Sequence, residues 1–172
     1  MNKSDAARIL SRRLGLNLGR VNALLVAASD AGILRKARGR DVPALSSLET
    51  AYIILAAIAD RGIGVAGQSV REFAALQSAE GLVLTDLVEG WVSGRASVAG
   101  LQSVVAQLDP AGVSVTTAGH HFRFGADHAG GAAKQVCIRG DDLAAAILEM
   151  QGIAPRAADE TVAVGRLASA LT

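Results

Sequence analysis

A chain of 172 residues has room for one sizeable domain or two small ones; with 51% hydrophobic and 19% charged residues it can bury a core, and its composition excludes disorder. The longest apolar run, Ala51 to Ala59, is nine residues, roughly half of the ~20 that a bilayer crossing needs, so no membrane partner is expected. The net charge of +1 hides a segregation, because residues 1–40 carry nine basic and two acidic side chains while the remainder carries eight basic and fourteen acidic ones. Such a concentrated cationic end raises the local concentration of a polyanion and is what a phosphate backbone rewards, although a solvated basic face without a partner has the same composition.

Alanine and leucine supply most of the apolar content and aromatics only 3%, which favours helix. Met1 to Asp5 lacks the long apolar stretch of a secretory signal, and the single cysteine, Cys137, cannot close an internal disulfide. Both point to a cytoplasmic location.

In chain order, Ser4 is a candidate N-cap with Asp5 near the positive end of the helix dipole, and Ala6, Ile9, Leu10 and Leu14 recur at helical spacing. Gly15 stops this helix, Leu16 and Asn17 make a short turn, and a second helix runs from about 18 to 31 on the stripe Val21, Leu24, Leu25 and Ala28. Gly32 ends it, and Ile33-Leu34 begins an extended, basic piece; Gly39 and Pro43 forbid helix before Ser46. Ser46 and Glu49 match a capping box for a third helix over about 47–61. Gly62 to Gln68, with three glycines and no charge, is the predicted linker. Three shorter helices are expected over about 69–79, 83–93 and 97–108, closed by a turn at Asp109 to Gly112.

The period then changes. Val113 to Thr117 and His120 to Phe124 alternate on either side of Ala118-Gly119, which is a hairpin signal. A glycine-rich loop leads to a third strand over 134–139, Asp141 or Asp142 opens a helix, and Asp159-Glu160 opens the last one. The predicted fold class is α+β, mainly α: an N-terminal helix-turn-helix of three helices, a helical segment, a small antiparallel sheet and C-terminal helices. Two domains are expected, 1–62 for DNA binding and 69–172 for oligomerisation or a partner.

The string from Leu10 to Lys36 is the most specific in the chain. It resembles the winged helix-turn-helix superfamily of bacterial DNA-binding proteins over about residues 5–41. There a positioning helix ends in Leu-Gly, a short turn follows, and a recognition helix ends in an Ala-Gly-Ile-Leu step into a basic wing, matched here by Ala31 to Leu34. A glycine-punctuated turn also lets two helices cross steeply, so that the second can enter a major groove. Early residues of that helix would then meet base edges: Asn17, Gly19, Arg20 and Asn22. Arginine suits guanine, asparagine suits adenine, and Gly19 permits close approach. Arg12, Arg13, Arg35, Lys36, Arg38 and Arg40 would bind phosphate, fixing register without reading sequence. The bland alternative is that Arg20 and Asn22 are solvated helix residues and 35–40 a surface loop.

Weaker signals carry ordinary readings. Adjacent His120 and His121 on a strand point to opposite faces, and neither they nor His128 and Cys137 show zinc spacing, so no metal or cofactor is expected. Gly125 to Gly131 lacks the ending of a phosphate-binding loop. Asp141-Asp142 suits a helix N-terminus, Cys137 a small core position, and Trp91 a packing or interface anchor. Nothing assembles a nucleophile, base and oxyanion site, so no enzyme is expected. The expected function is a sequence-specific double-stranded DNA-binding protein, a bacterial or phage transcriptional regulator acting as a dimer. The alternatives are a phage DNA-packaging subunit, like a terminase small subunit, or another architectural DNA-binding subunit, and a protein interaction module without DNA binding.

Overall fold

The computed structural model describes residues 1–36, 43–127 and 133–170. The order of elements is α1 (Lys3–Leu14), α2 (Leu18–Asp30), α3 (Ser47–Ile58), a 3-10 turn (Ile63–Val65), α4 (Ala66–Ala74), α5 (Leu84–Val92), β1 (Leu101–Gln107), β2 (Gly112–Thr117), β3 (His120–Gly125), β4 (Gln135–Arg139), α6 (Gly140–Met150) and α7 (Pro155–Ala170). The chain is therefore α+β and mainly α, with one four-stranded antiparallel sheet in the order β3-β2-β1-β4.

Local chemistry sets the first three helices. Asn2, not Ser4, caps α1: its side chain accepts from the Asp5 N–H at 3.0 Å while Asp5 reaches back to the Asn2 N–H, closing a reciprocal box. Gly15 takes φ 66° and ends α1, a left-handed turn that costs an L side chain roughly 1–2 kcal/mol. Asn17 caps α2 and Ser46 with Glu49 caps α3. The three helices pack on one another pairwise, burying Ala6, Ala7 and Leu10 of α1, Val21, Leu25 and Ala28 of α2, and Ala51, Ile54 and Leu55 of α3. Each fully buried leucine or isoleucine stabilises this unit by about 1.5–3 kcal/mol relative to exposure.

The segment expected as a linker is folded instead. Residues 63–65 form the 3-10 turn, and Ala66 and Gly67 are buried at the start of α4, where a side chain at Gly67 would collide with Ala31 at the end of α2. One hydrophobic cluster runs from Ala6 to Ala158, joining residues on both sides of 62–68. The expected segments 1–62 and 69–172 thus share a core: α1 packs on α6, and α3 on α5.

Residues 97–108, expected as helix, contain β1. It pairs with β2 through Val104↔Val115 and Ala106↔Val113, and with β4 through Val104↔Ile138 and Val105↔Cys137. The hairpin expected at 113–124 is present as β2 and β3, and its buried residues include Val113, Val115 and Phe124. The last helix starts at Pro155, earlier than Asp159. Between α2 and α3, residues 31–36 and 43–46 contain no strand, so the described part of the expected wing is irregular chain. Cys137 is exposed on the edge strand β4, not a core residue, whereas Trp91 is buried. His120 stacks on Phe122 and His121 bonds Thr116, so the adjacent histidines have separate partners; His128 lies outside the described residues.

Candidate nucleic-acid interface

Helix α2 buries one face and exposes the other. Val21, Leu24, Leu25, Ala28 and Ser29 are buried, while Asn17, Leu18, Gly19, Asn22, Val26 and Asp30 are exposed. The exposed face is neither basic nor uniformly polar: Leu18 is 40% and Val26 61% exposed.

The predicted base-contacting residues fall at the start of this helix and have distinct local tasks. Asn17 Oδ1 accepts from the Arg20 N–H at 3.0 Å, so its oxygen is committed to capping. An added Cβ at Gly19 would lie 3.2 Å from that same oxygen, so the glycine leaves room for the cap. Arg20 forms a two-point ion pair with Asp60 just beyond α3, Nε to Oδ2 and Nη2 to Oδ1, both 2.7 Å. This pairing raises the Arg20 pKa and, with the Gly62 N–H, holds the Asp60 carboxyl below its ordinary range. Asn22 makes no side-chain hydrogen bond among the described residues and lines a shallow cleft of about 510 Å³ with Lys3, Ser4, Val26, Asp30 and Lys36.

The predicted phosphate contacts are dispersed and paired. Arg12 and Arg13 both bind Glu149 at the end of α6, and Arg13 also reaches Asp159 of α7 at 2.6 Å and the Pro155 carbonyl at 3.1 Å. Arg35 grips Glu49 of α3 at 3.0 and 2.6 Å, and its own N–H adds a third bond at 3.0 Å. Those bonds, with the Ser46 N–H, hold the Glu49 carboxyl at about 2. Lys36 pairs with Asp30 at 2.7 Å. Arg38 and Arg40 lie outside the described residues.

The structure therefore brings Asn22 and Lys36 into one cleft and keeps Asn17, Gly19 and Arg20 together at the first turn of α2. It sends Arg12 and Arg13 towards α6 and α7, and Arg35 to the start of α3. Five predicted cations, Arg12, Arg13, Arg20, Arg35 and Lys36, each meet a carboxylate. Sequence reading missed Lys3, which donates to Ser29 Oγ at 2.7 Å and to the Arg35 carbonyl, and it missed the acceptors Asp60, Glu149 and Asp159. No local pattern marks such acceptors, because they meet their partners only in the folded chain.

No helix among the described residues is long and apolar enough to cross a membrane. No family model, curated protein or solved structure matches this chain.

Proposed function

We propose that this chain binds duplex DNA through α2 and acts as a dimeric regulator of transcription. The observation that supports this most is Asn22: an amide without a side-chain partner among the described residues, exposed on a helix whose opposite face is locked into the core. A carboxamide so presented can make the two-bond contact with adenine in a major groove. Arg20 keeps donor capacity beyond its two bonds to Asp60, and that acceptor fixes its direction. Lys3 and Lys36 line the same cleft, and in this reading they meet phosphate in exchange for Ser29 and Asp30, the partners they hold here.

The test is selection of bound sequences from a random duplex pool, followed by titration of wild type, Asn22→Ala and Lys36→Ala against the selected site. Asn22→Ala is expected to lose about 1–3 kcal/mol and relax preference at one position, while Lys36→Ala weakens all sequences alike. Absence of any salt-dependent duplex binding at low ionic strength rejects the proposal. A ring of eight or more subunits would favour a packaging role over a dimeric regulator.

The exposure of Leu18 and Val26 beside Asn22 favours a second reading, in which this face docks on a protein without DNA. Val26→Lys separates the two. It adds a cation to a DNA-facing helix and tightens duplex binding at low salt, but disrupts self-association, measured by light scattering, if the face is a protein interface.

A further inference from the structure

Resting on the DNA reading, we propose that α6 and α7 restrain DNA binding by holding the arginines of α1: Glu149 and Asp159 occupy the positions that phosphate oxygens would take on Arg12 and Arg13. Glu149 presents a nearly buried carboxylate, 5% exposed, whose two oxygens are divided between Arg12 and Arg13. All three guanidinium nitrogens of Arg13 are engaged, by Glu149, Asp159 and the Pro155 carbonyl, leaving that side chain 17% exposed. Arg12, at 57% exposed, is held through one nitrogen. Carboxylate and phosphate offer a guanidinium equivalent paired oxygens, so the two compete for the same donors.

The holding element is seated on few side chains, with Gly165 against Ala99 and Arg166 paired to Asp141 at 3.1 Å. Of the α7 side chains, Ala158 is fully buried and Val162 partly so, while Asp159, Glu160, Val164 and Leu167 face solvent. The connection from α6 turns at Gly152, whose φ of 94° ends that helix and lets α7 fold back on it. Displacing α7 removes Asp159 and the Pro155 carbonyl from Arg13 together. Glu149 remains as the second acceptor, giving a graded restraint.

The experiment measures affinity of the full chain for duplex DNA across a salt series for wild type, Asp159→Asn, Glu149→Gln and the double variant Asp159→Asn/Arg13→Gln. Asp86→Asn, an exposed change with the same effect on net charge, sets the background. Asp159→Asn is expected to tighten binding several-fold beyond that background and to steepen the slope of log K against log salt by about one, the signature of one more neutralised phosphate. Arg13→Gln is expected to cancel the gain. Asp159 is largely exposed, so its variant decides the matter even where Glu149→Gln fails to fold. If wild type binds DNA while Asp159→Asn matches Asp86→Asn in affinity and slope, the restraint is overturned and the ion pairs only fasten α1 to α6. If no variant binds duplex DNA, the reading on which it rests falls, and the restraint with it.

Discussion

Arg20 on α2 holds Asp60 through two parallel hydrogen bonds of 2.7 Å, Nε to Oδ2 and Nη2 to Oδ1, forty residues apart in sequence. The pair fastens the first turn of α2 to the far end of α3, so the direction of Arg20 is set by the fold. Because Arg20 holds the Asp60 carboxyl below its ordinary value of 3.8, the ionised form stabilises the native state. That contribution is complete above the ordinary value and is lost as pH falls through the lower folded one. Asp60→Asn is therefore expected to lower Tm at pH 7, with the difference from wild type shrinking as pH drops below about 3.8. Thermal melts across that range check it; a pH-independent difference would assign the loss to packing.

Asn17 offers a test of which task a candidate site residue performs. Its oxygen caps α2, so Asn17→Ala is expected to cost about 1 kcal/mol in denaturant unfolding, whereas Asn17→Asp, another good cap, restores most of it. A base contact would behave differently: the aspartate would keep the fold yet repel phosphate and lose duplex binding. Stability recovered without DNA affinity separates the two roles in one variant.

Much of the local fold was legible because it depends on neighbours in sequence. The stop at Gly15, the box of Ser46 and Glu49, and the hairpin about Gly119 each follow from residues within a few positions of one another. Residues 97–108 were not legible, for a physical reason. Val98, Leu101, Val104, Val105 and Leu108 fit a helical spacing, but β1 is a central strand with a partner on each side, and such strands lack clean alternation. Long-range pairing overrode local propensity. The candidate site suffered more. Its cationic residues were correctly counted as a cluster in sequence, yet Arg13 finds its carboxylates 136 and 146 residues away, and folding distributes the cluster over several helices.

Glu49 predicts a second acid transition. Arg35, Ser46 and the Arg35 N–H hold its carboxyl at about 2, against an ordinary 4.5. A full shift of that size corresponds to on the order of 3 kcal/mol, reduced to about 1–3 because the Arg35 side chain is 58% exposed to screening solvent. Stability from this group is present above pH 4.5 and disappears as pH falls towards 2. Glu49→Gln is expected to destabilise at neutral pH by that amount and to flatten the acid limb of the stability curve. Urea unfolding at pH 7, 4 and 2.5 reads both effects.

Gly140, the first residue of α6, is where the sheet meets the helix that holds α1. A methyl group there would overlap the Leu101 carbonyl and crowd Gln102, both backbone atoms of the adjoining strand that no rotamer change can move. Gly140 is not among the positive-φ glycines, so an L side chain is excluded by space and not by backbone conformation. Gly140→Ala is expected to destabilise by about 1–3 kcal/mol through overpacking, despite the better helix propensity of alanine. Gly119→Ala, at φ 85° with open space around it, probes the opposite cause. It is expected to cost about 1–2 kcal/mol through left-handed strain alone. Hydrogen exchange distinguishes them: Gly140→Ala should open amides in α6 and β1 together, whereas Gly119→Ala should loosen only the β2–β3 hairpin. Equal protection in α6 and β1 for the two variants would mean that this junction yields more easily than its contacts imply.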